Sequence, residues 1–284
     1  MVPAASSDGP SGGSGQTPPV FERSATVLLL DDSAGPMRVL MGERAATMGF
    51  AASALVFPGG KVDQADRAPP WRLADGSSHR ALQSSPDTEH DVRVAAVREL
   101  FEECGILLAY RDGELLTGAA LSALVPDLMA MRNAINDDAR LFAQFLTDHA
   151  LTPAFDQLTF FARWKTPAMV NRRFDTWFFA ACVPPGHVAV ADGAESLSAE
   201  WATPTQFLAG SDRGDAKIIF PTARNLERLR DFGSVKAVIA HGDPGERNAI
   251  TPAVKDIDGE RYLTIPDGLG YPVTREALEK AVRG

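Results

Sequence analysis

The chain has 284 residues, of which 45% are hydrophobic, and a formal net charge of −9. A chain of this size and composition can bury a large core as one elaborated domain. Its acidic balance argues against binding a nucleic-acid polymer, which proteins hold mainly through lysine and arginine, and it contains no apolar run long enough for a membrane span.

The first segment, residues 1–20, has no apolar periodicity and no basic residue. This composition predicts a disordered tail and not a signal or transit peptide. We expect one domain over residues 21–284, located in the cytoplasm by default, since the last residues do not resemble a peroxisomal Ser-Lys-Leu signal.

Apolar patterns then predict three strands, at residues 25–30, 39–42 and 54–57, the last of which runs into a glycine turn. Residues 67–90 are polar and rich in proline and serine, which indicates an inserted surface loop. Residues 115–150 show helical periodicity and predict a helical insertion. The later elements are predicted as strands at 174–183, 197–201 and 235–240 and helices at 204–208 and 219–232.

The helix between the two insertions carries three glutamates. Glu99, Glu102 and Glu103 are spaced i, i+3 and i+4, so their side chains converge within one helical turn. Like charges at this spacing repel, and no lysine lies between Lys61 and Lys165 to offset them. A solvent-facing acidic helix is the ordinary alternative, but oxygen ligands on a rigid helix suit Mg²⁺ or Mn²⁺.

The flanks of these glutamates favour a metal site over a solvated surface. Val94, Val97, Phe101, Cys104 and Leu108 form a separate apolar stripe, which predicts an amphipathic helix whose carboxylates point away from the buried face. Gly105 supplies the C-terminal stop of this helix. Both Cys104 and Cys182 are expected to be buried free thiols.

The run from Arg98 to Ile106, Arg-Glu-Leu-Phe-Glu-Glu-Cys-Gly-Ile, resembles the second half of the Nudix box at every fixed position. Phe57-Pro58-Gly59-Gly60 resembles its first half, and Asp66 stands where the family has glutamate. Residues 67–97 occupy a place where the family has seven residues, and this interruption is similar to the box of the nucleoside diphosphate-linked moiety X motif 19 family of coenzyme A diphosphatases. Further matches within residues 24–270 are Glu43-Arg44-Ala45, Trp164-Lys165-Thr166-Pro167, Arg172-Arg173-Phe174-Asp175-Thr176 and Glu200-Trp201.

The resemblance implies an α/β fold, the Nudix α/β/α sandwich with a mixed sheet. It implies Mg²⁺ or Mn²⁺ held by Glu99, Glu102, Glu103 and the backbone of Gly59. It assigns catalysis to Glu102, Glu103 and Arg98, of which Arg98 is expected to pair with Asp66 and fix the loop. Which carboxylate accepts the proton from water stays open, with Glu195 and Glu200 as further candidates.

Candidate substrate-binding residues surround the glycine turn. The longer signature of coenzyme A-cleaving Nudix enzymes is matched at Arg44-Ala45 and Phe57 to Gly60, but Gly49 and Ser53 replace its second arginine and its glycine. For Arg44 the alternative role is a surface salt bridge, and for Phe57 it is core packing. For Arg172 and Arg173 the alternative is a solvated strand end. The candidates are Arg44, Phe57, Gly60, Arg172 and Arg173.

The favoured function is a metal-dependent hydrolase that splits the pyrophosphate of coenzyme A or acyl-coenzyme A into 3′,5′-ADP and 4′-phosphopantetheine. The alternatives are a pyrophosphatase for NADH or ADP-ribose, a non-hydrolysing nucleotide-binding regulator, and a protein-interaction module built on the helical insertion. The expected partner is a small anionic nucleotide, with no nucleic-acid polymer and no membrane, and a homodimer is possible.

Overall fold

The computed structural model describes residues 20–47, 51–67, 89–167, 170, 172–242 and 247–283. Nearly all of the predicted tail 1–20 and of the predicted loop 67–90 lies outside these residues. Across the described residues we find no helix with both the length and the apolar character needed to span a bilayer. The described chain forms a mixed sheet with helices on both faces, the α/β/α sandwich expected from the sequence.

The main sheet has seven strands and both parallel and antiparallel pairs. The strands in chain order are β1 Glu22–Asp31, β2 Arg38–Glu43, β3 Leu55–Val56, β4 Gly59–Lys61, β5 Ala109–Arg111, β6 Glu114–Leu115, β7 Thr152–Pro153, β8 Thr159–Lys165, β9 Phe174–Cys182, β10 Glu200–Ala202, β11 Ala253–Ile257, β12 Glu260–Thr264 and β13 Arg275–Ala277. The order in the main sheet is β10-β2-β1-β9-β8, with β3 paired to β2 and β4 to β1. Strands β1 and β9 are parallel and central, and two small three-stranded sheets, β6-β5-β7 and β11-β12-β13, lie outside it.

The helices of the described residues fall into two layers. They are α1 His90–Cys104, α2 Gly118–Leu124, α3 Leu128–Asp137, α4 Arg140–Asp148, α5 Pro204–Arg213, α6 Phe220–Arg230, α7 Val235–His241 and α8 Leu278–Arg283. Alternate residues of β1 face opposite layers, as the two-residue period of a strand requires. Val27 and Leu29 pack with α1 to α4, whereas Leu28 and Leu30 pack with α5 to α7 and the C-terminal segment.

Helix α1 is packed on both sides, which fixes its position in the fold. One side lies on the sheet, and on the other the ring of Phe101 stacks on Phe145 with 5.3 Å between the centroids and lies 6.2 Å from Phe142. Gly105 ends the helix in the left-handed conformation, with φ of 70°, and its N–H donates to the carbonyl of Phe101. Its glutamates are therefore presented from a rigid element.

Three expectations about the later elements and the cysteines are wrong. Residues 235–240 belong to α7, because Ser234 accepts a hydrogen bond from the N–H of Ala237 and caps a helix where the apolar alternation suggested a strand. The strand predicted at 197–201 begins only at Glu200, and Leu197 before it is exposed. The thiol of Cys104 is buried as expected, but Cys182, at the end of β9, is exposed.

Candidate functional site

The glycine turn lies against the last two turns of α1. Strand β4 pairs antiparallel with β1, so that Gly59 is opposite Thr26 and Gly60 is opposite Ala25. Gly59 has a φ of +152°, and a Cβ there would collide with the carbonyl oxygen of Ala25. A Cβ on Gly60 would collide with the carboxylate of Glu99. Both glycines are thus required for the backbone to approach the helix.

Glu102 and Glu103 of α1 are buried and Glu99 is partly buried, contrary to the expectation that all three point away from the packed face. Glu102 and Glu103 are each 5% exposed, and the side chain of Glu99 is 12% exposed. Oε2 of Glu103 accepts a hydrogen bond from the N–H of Gly59 at 3.0 Å. The carboxylates are buried because the glycine turn covers the helix face that the sequence pattern alone assigns to solvent.

Arg98 holds this arrangement together. Its Nε and Nη2 donate to the two carboxylate oxygens of Asp66, each at 2.9 Å, which is the pair expected from the sequence. Nη1 lies 3.0 Å from Oε1 of both Glu99 and Glu102, and Nη2 also donates to the carbonyl of Lys61 at 3.0 Å. Burial lowers the pKa of Arg98, but the neighbouring acids outweigh it and the net pKa is raised.

Burial and mutual repulsion disfavour the charged forms of the glutamates. Burial raises the pKa of Glu99 to about 8; Arg98 opposes this rise, and the charges of Glu102, Asp66 and Glu195 add to it. Burial likewise raises the pKa of Glu102, and it raises that of Glu103 well above its usual value. The site therefore has more negative charge than the surrounding cations neutralise.

This charge excess fits a divalent cation in its donor chemistry, since the cluster offers hard carboxylate oxygens close to backbone carbonyls. The side chains are not yet arranged as a ligand set: within the described ranges, no three His, Cys, Asp or Glu residues are grouped so as to hold a metal ion. Arg98 contacts the Oε1 atoms of Glu99 and Glu102. A metal ion that bound these two oxygens would compete with Arg98 for them.

A cavity of about 880 Å³ opens over the glycine turn and is lined by Glu99 and Glu102, whereas Glu103 lies behind the turn and is not a lining residue. Four of the five candidate substrate residues line it: Arg44, Phe57, Gly60 and Arg172. Nε of Arg44 is buried and has no hydrogen-bond partner in the described structure, so it is available to a ligand. Phe57 is 2% exposed and packs in the core, which agrees with the packing alternative.

Arg173 is the candidate that the structure places elsewhere. It is not among the residues that line the cavity, and its backbone carbonyl accepts the N–H of Glu22 at 2.8 Å, at the start of β1. Arg172, which lies in a bend before β9, lines the cavity, and its neighbour does not.

Of the two candidate proton acceptors outside α1, Glu195 and Glu200, only one lies at the cavity. Glu195 lines the cavity, and its charge contributes to the raised pKa values of all three glutamates of α1. Its carbonyl accepts the N–H of Ala45, which joins its loop to the segment of Arg44. Glu200 is exposed on β10 and is not a lining residue.

The sequence interpretation missed Arg132. This residue of α3 is 2% exposed, and its Nε donates to the carbonyl of Glu102 at 2.9 Å, near the C-terminal end of α1. A cation there interacts favourably with the helix dipole. The available signal was its position: Arg132 lies four residues after Leu128 and three before Ile135, on the buried stripe of α3.

Comparison with solved structures shows that the fold is that of a Nudix hydrolase. The Nudix hydrolase from Alicyclobacillus acidocaldarius superposes with a TM-score of 0.65 over 79% of this chain and 97% of that chain, at 22% identity. The family model described as the NUDT19 Nudix domain matches residues 74–229, more than half of the chain. The chain belongs to this family.

The curated relatives include the human acyl-coenzyme A diphosphatase NUDT19, which is 29% identical over 231 residues, 70% of this chain and 62% of the relative. The putative nudix hydrolase 7 of Caenorhabditis elegans is 30% identical over 192 residues, 68% of this chain and 55% of the relative. The matches thus span only 55 to 62% of the length of these two relatives.

Glu99→Gln is expected to stabilise the metal-free protein at alkaline pH. A carboxyl whose pKa is raised on folding favours folding most below its unfolded pKa, near 4.5, and this contribution is lost as the pH rises through about 8. Glutamine removes the charge, so Tm should rise by roughly 2–4 °C or more at about pH 9, which corresponds to about 1 kcal/mol. Thermal denaturation in a metal chelator at about pH 5 and pH 9 measures the effect.

Glu114→Gln, on exposed β6, is the matched control and should leave the pH dependence of Tm unchanged. A Glu99→Gln protein whose Tm falls between the two pH values as steeply as that of the wild type would contradict the charge excess.

Asp66→Ala is expected to lower the free energy of unfolding by roughly 3 kcal/mol, because it leaves a buried guanidinium without its bidentate partner. Glu99 and Glu102 still contact Arg98, so the loss should lie at the low end for a broken buried pair. Urea denaturation measures it, with Asp63→Ala at an exposed neighbouring position as the control. Equal losses in the two variants would show that the pair contributes little.

Proposed function

We propose that the chain is a metal-dependent hydrolase that cleaves the pyrophosphate bond of coenzyme A or acyl-coenzyme A, giving 3′,5′-ADP and 4′-phosphopantetheine. The observation that carries this proposal is the packing of Glu99, Glu102 and Glu103 against the glycine turn, where Glu99 and Glu102 line a cavity that Arg44 also lines. The names of the curated relatives, acyl-coenzyme A diphosphatase, support the substrate.

Glu99, Glu102, Glu103 and the backbone of Gly59 would hold the metal ion. When bound, Mg²⁺ or Mn²⁺ supplies neutralisation of the phosphate charge and a more acidic water. In the reaction, the water oxygen forms a bond to one phosphorus, the bond from that phosphorus to the bridging oxygen breaks, and the second phosphate departs. Arg44, whose Nε is unpartnered, donates to a phosphate oxygen and offsets its charge.

The proton of the attacking water passes to a carboxylate of the site. Burial raises the pKa of Glu102 above its usual value, which brings this carboxylate closer to the range in which a general base works at neutral pH. Arg98 fixes its orientation through the contact with Oε1. Glu195, on the opposite loop, is the second candidate because it lines the same cavity.

The purified protein is expected to cleave coenzyme A or its thioesters when supplied with Mg²⁺ or Mn²⁺, with product masses of 3′,5′-ADP and phosphopantetheine species. Glu103→Gln should lower kcat by at least about 100-fold, because it replaces a proposed metal ligand itself and not a residue that only contacts a metal ligand. Glu114→Gln on exposed β6 should retain wild-type activity.

The same assay is run with NADH, ADP-ribose and nucleoside triphosphates as substrates. Turnover of one of these with coenzyme A intact would replace the substrate while the reaction class stands. Tight binding of a nucleotide without turnover under either metal would instead support the non-hydrolysing regulator.

Arg172→Ala is expected to lower kcat/KM for coenzyme A by roughly 10- to 100-fold, the effect of losing a charge-assisted hydrogen bond to the 3′-phosphate. Dephospho-coenzyme A, which lacks that phosphate, should be affected much less. Arg172 is exposed where it lines the cavity, and Arg213→Ala, also at an exposed arginine, is the control. Equal losses for the two substrates would exclude a contact with the 3′-phosphate.

The choice between Mg²⁺ and Mn²⁺, a homodimer and the cytoplasmic location stay predictions from the sequence. Activity measured against each metal, sedimentation of the purified protein and fractionation of cells would test them in turn.

A further inference from the structure

The cavity continues past the glutamates to a second, apolar end. This apolar end is built by side chains from β8, the start of α6, β12 and α8, all on the sheet face opposite α1. Its members are Trp164, Phe220, Leu263, Leu278 and Ala281. None of the five carries a charge. Of the basic lining residues, Arg44 and Lys61 lie on the side of the cavity next to the glycine turn, and Lys165 and Arg172 lie at the end of β8 and just before β9.

The register of the sheet gives the distance between the two ends. Gly59 is paired with Thr26 and Thr26 with Phe178; on the neighbouring row, Ser24 is paired with Thr176 and Thr176 with Trp164. Strands β4, β1, β9 and β8 therefore follow one another from the glycine turn to the tryptophan. Three strand spacings amount to about 14 Å. A ligand with its pyrophosphate at the glycine turn needs a long arm to reach the apolar end.

The apolar end is rigid and its polar atoms are satisfied away from the cavity. Nε1 of Trp164 donates to Oη of Tyr271 at 3.2 Å, and Tyr271 donates to Oδ1 of Asn225 at 2.9 Å. The ring of Trp164 meets those of Phe220 and Tyr271 edge to face. Trp164 and Phe220 are each 3% exposed, so this end is enclosed by packed side chains.

We propose that the apolar end binds the acyl chain of an acyl-coenzyme A and that Leu278 and Ala281 of α8 determine the chain length that fits. This inference rests on the proposed function, because the pyrophosphate has to lie at the glycine turn for the thioester arm to extend across β1 and β9. The cavity volume lies within the range of sites that enclose most of a ligand. The basic end then faces the phosphates, and the uncharged end faces the chain.

Helix α8 and β12 follow residue 229, where the match to the family model ends. The length of the acyl chain would therefore be selected by a part of the protein that the family model does not cover. The competing occupant is the adenine ring, which could stack on Trp164; it is the same in every acyl-coenzyme A and would make activity independent of chain length at this end.

The test measures kcat/KM for free coenzyme A and for its acetyl, octanoyl and dodecanoyl thioesters, all below the concentration at which they form micelles. Ala281→Phe should lower the ratio of dodecanoyl to acetyl turnover by at least about tenfold, since misfit in a closed apolar pocket costs that much. Leu278→Ala should raise the same ratio. Ala277→Phe, an identical change at an exposed position of β13, should keep the wild-type ratio.

Calorimetric binding of the same ligands without divalent metal gives a second measurement, independent of hydrolysis. If Ala281→Phe lowers kcat/KM equally for all four substrates, the adenine or another common part occupies this end and the inference is wrong. An unchanged ratio in both variants, with a wild-type Tm, also overturns it. If the wild-type protein cleaves none of the four but binds them with chain-length dependence, the proposed reaction fails while the acyl site stands.

Discussion

The site depends on three carboxylates that the packing of α1 holds close together and away from solvent. Helix α1 is packed between the sheet and the helices of residues 118–148, so its last turns cannot swing into water to relieve the repulsion of Glu99, Glu102 and Glu103. At low effective dielectric, like charges raise each other's pKa and oppose ionisation. Packing energy from Phe101 and its aromatic neighbours maintains the arrangement. A divalent cation bound as proposed would lower the free energy of the same arrangement, because it would offset this repulsion.

Arg98 explains how a long interruption leaves this arrangement intact. Its guanidinium joins the carbonyl of Lys61, the carboxylate of Asp66 and the acids of α1. Asp66 lies in a turn of 3-10 helix, where Oδ2 also accepts the N–H of Asp63, so the shorter side chain still reaches both guanidinium nitrogens. Both ends of the inserted segment are therefore fixed by one cation. Lengthening a loop between fixed ends costs little additional entropy.

Most features that the sequence predicted are set by local spacing. The three glutamates at helical intervals and the glycine pair after a strand depend on short segments, whereas the Arg98–Asp66 pair joins residues 32 positions apart and was expected from the family resemblance. Burial of the glutamates could not be predicted, because it requires β4 to cover α1 from a distant part of the chain. Residues 235–240 were wrongly predicted as a strand, because the same sequence is compatible with an alternating apolar strand and with a short capped helix. Tertiary packing selects between the two. Arg132 was missed because a lone arginine on a buried stripe identifies no partner until α3 is placed against α1.

The division of the site between segments bears on what a family match can establish. The matched residues 74–229 contain the carboxylates and Arg98, the groups concerned with a cation and phosphate. Arg44 and the glycine turn precede that region, and Leu263, Leu278 and Ala281 follow it, yet all of them line the same cavity. Under the proposed function, the groups that carry out the reaction lie inside the matched region, while much of the wall that would contact the rest of a substrate lies outside it. A match over residues 74–229 therefore leaves both ends of the cavity wall undescribed, because residues outside that region build them.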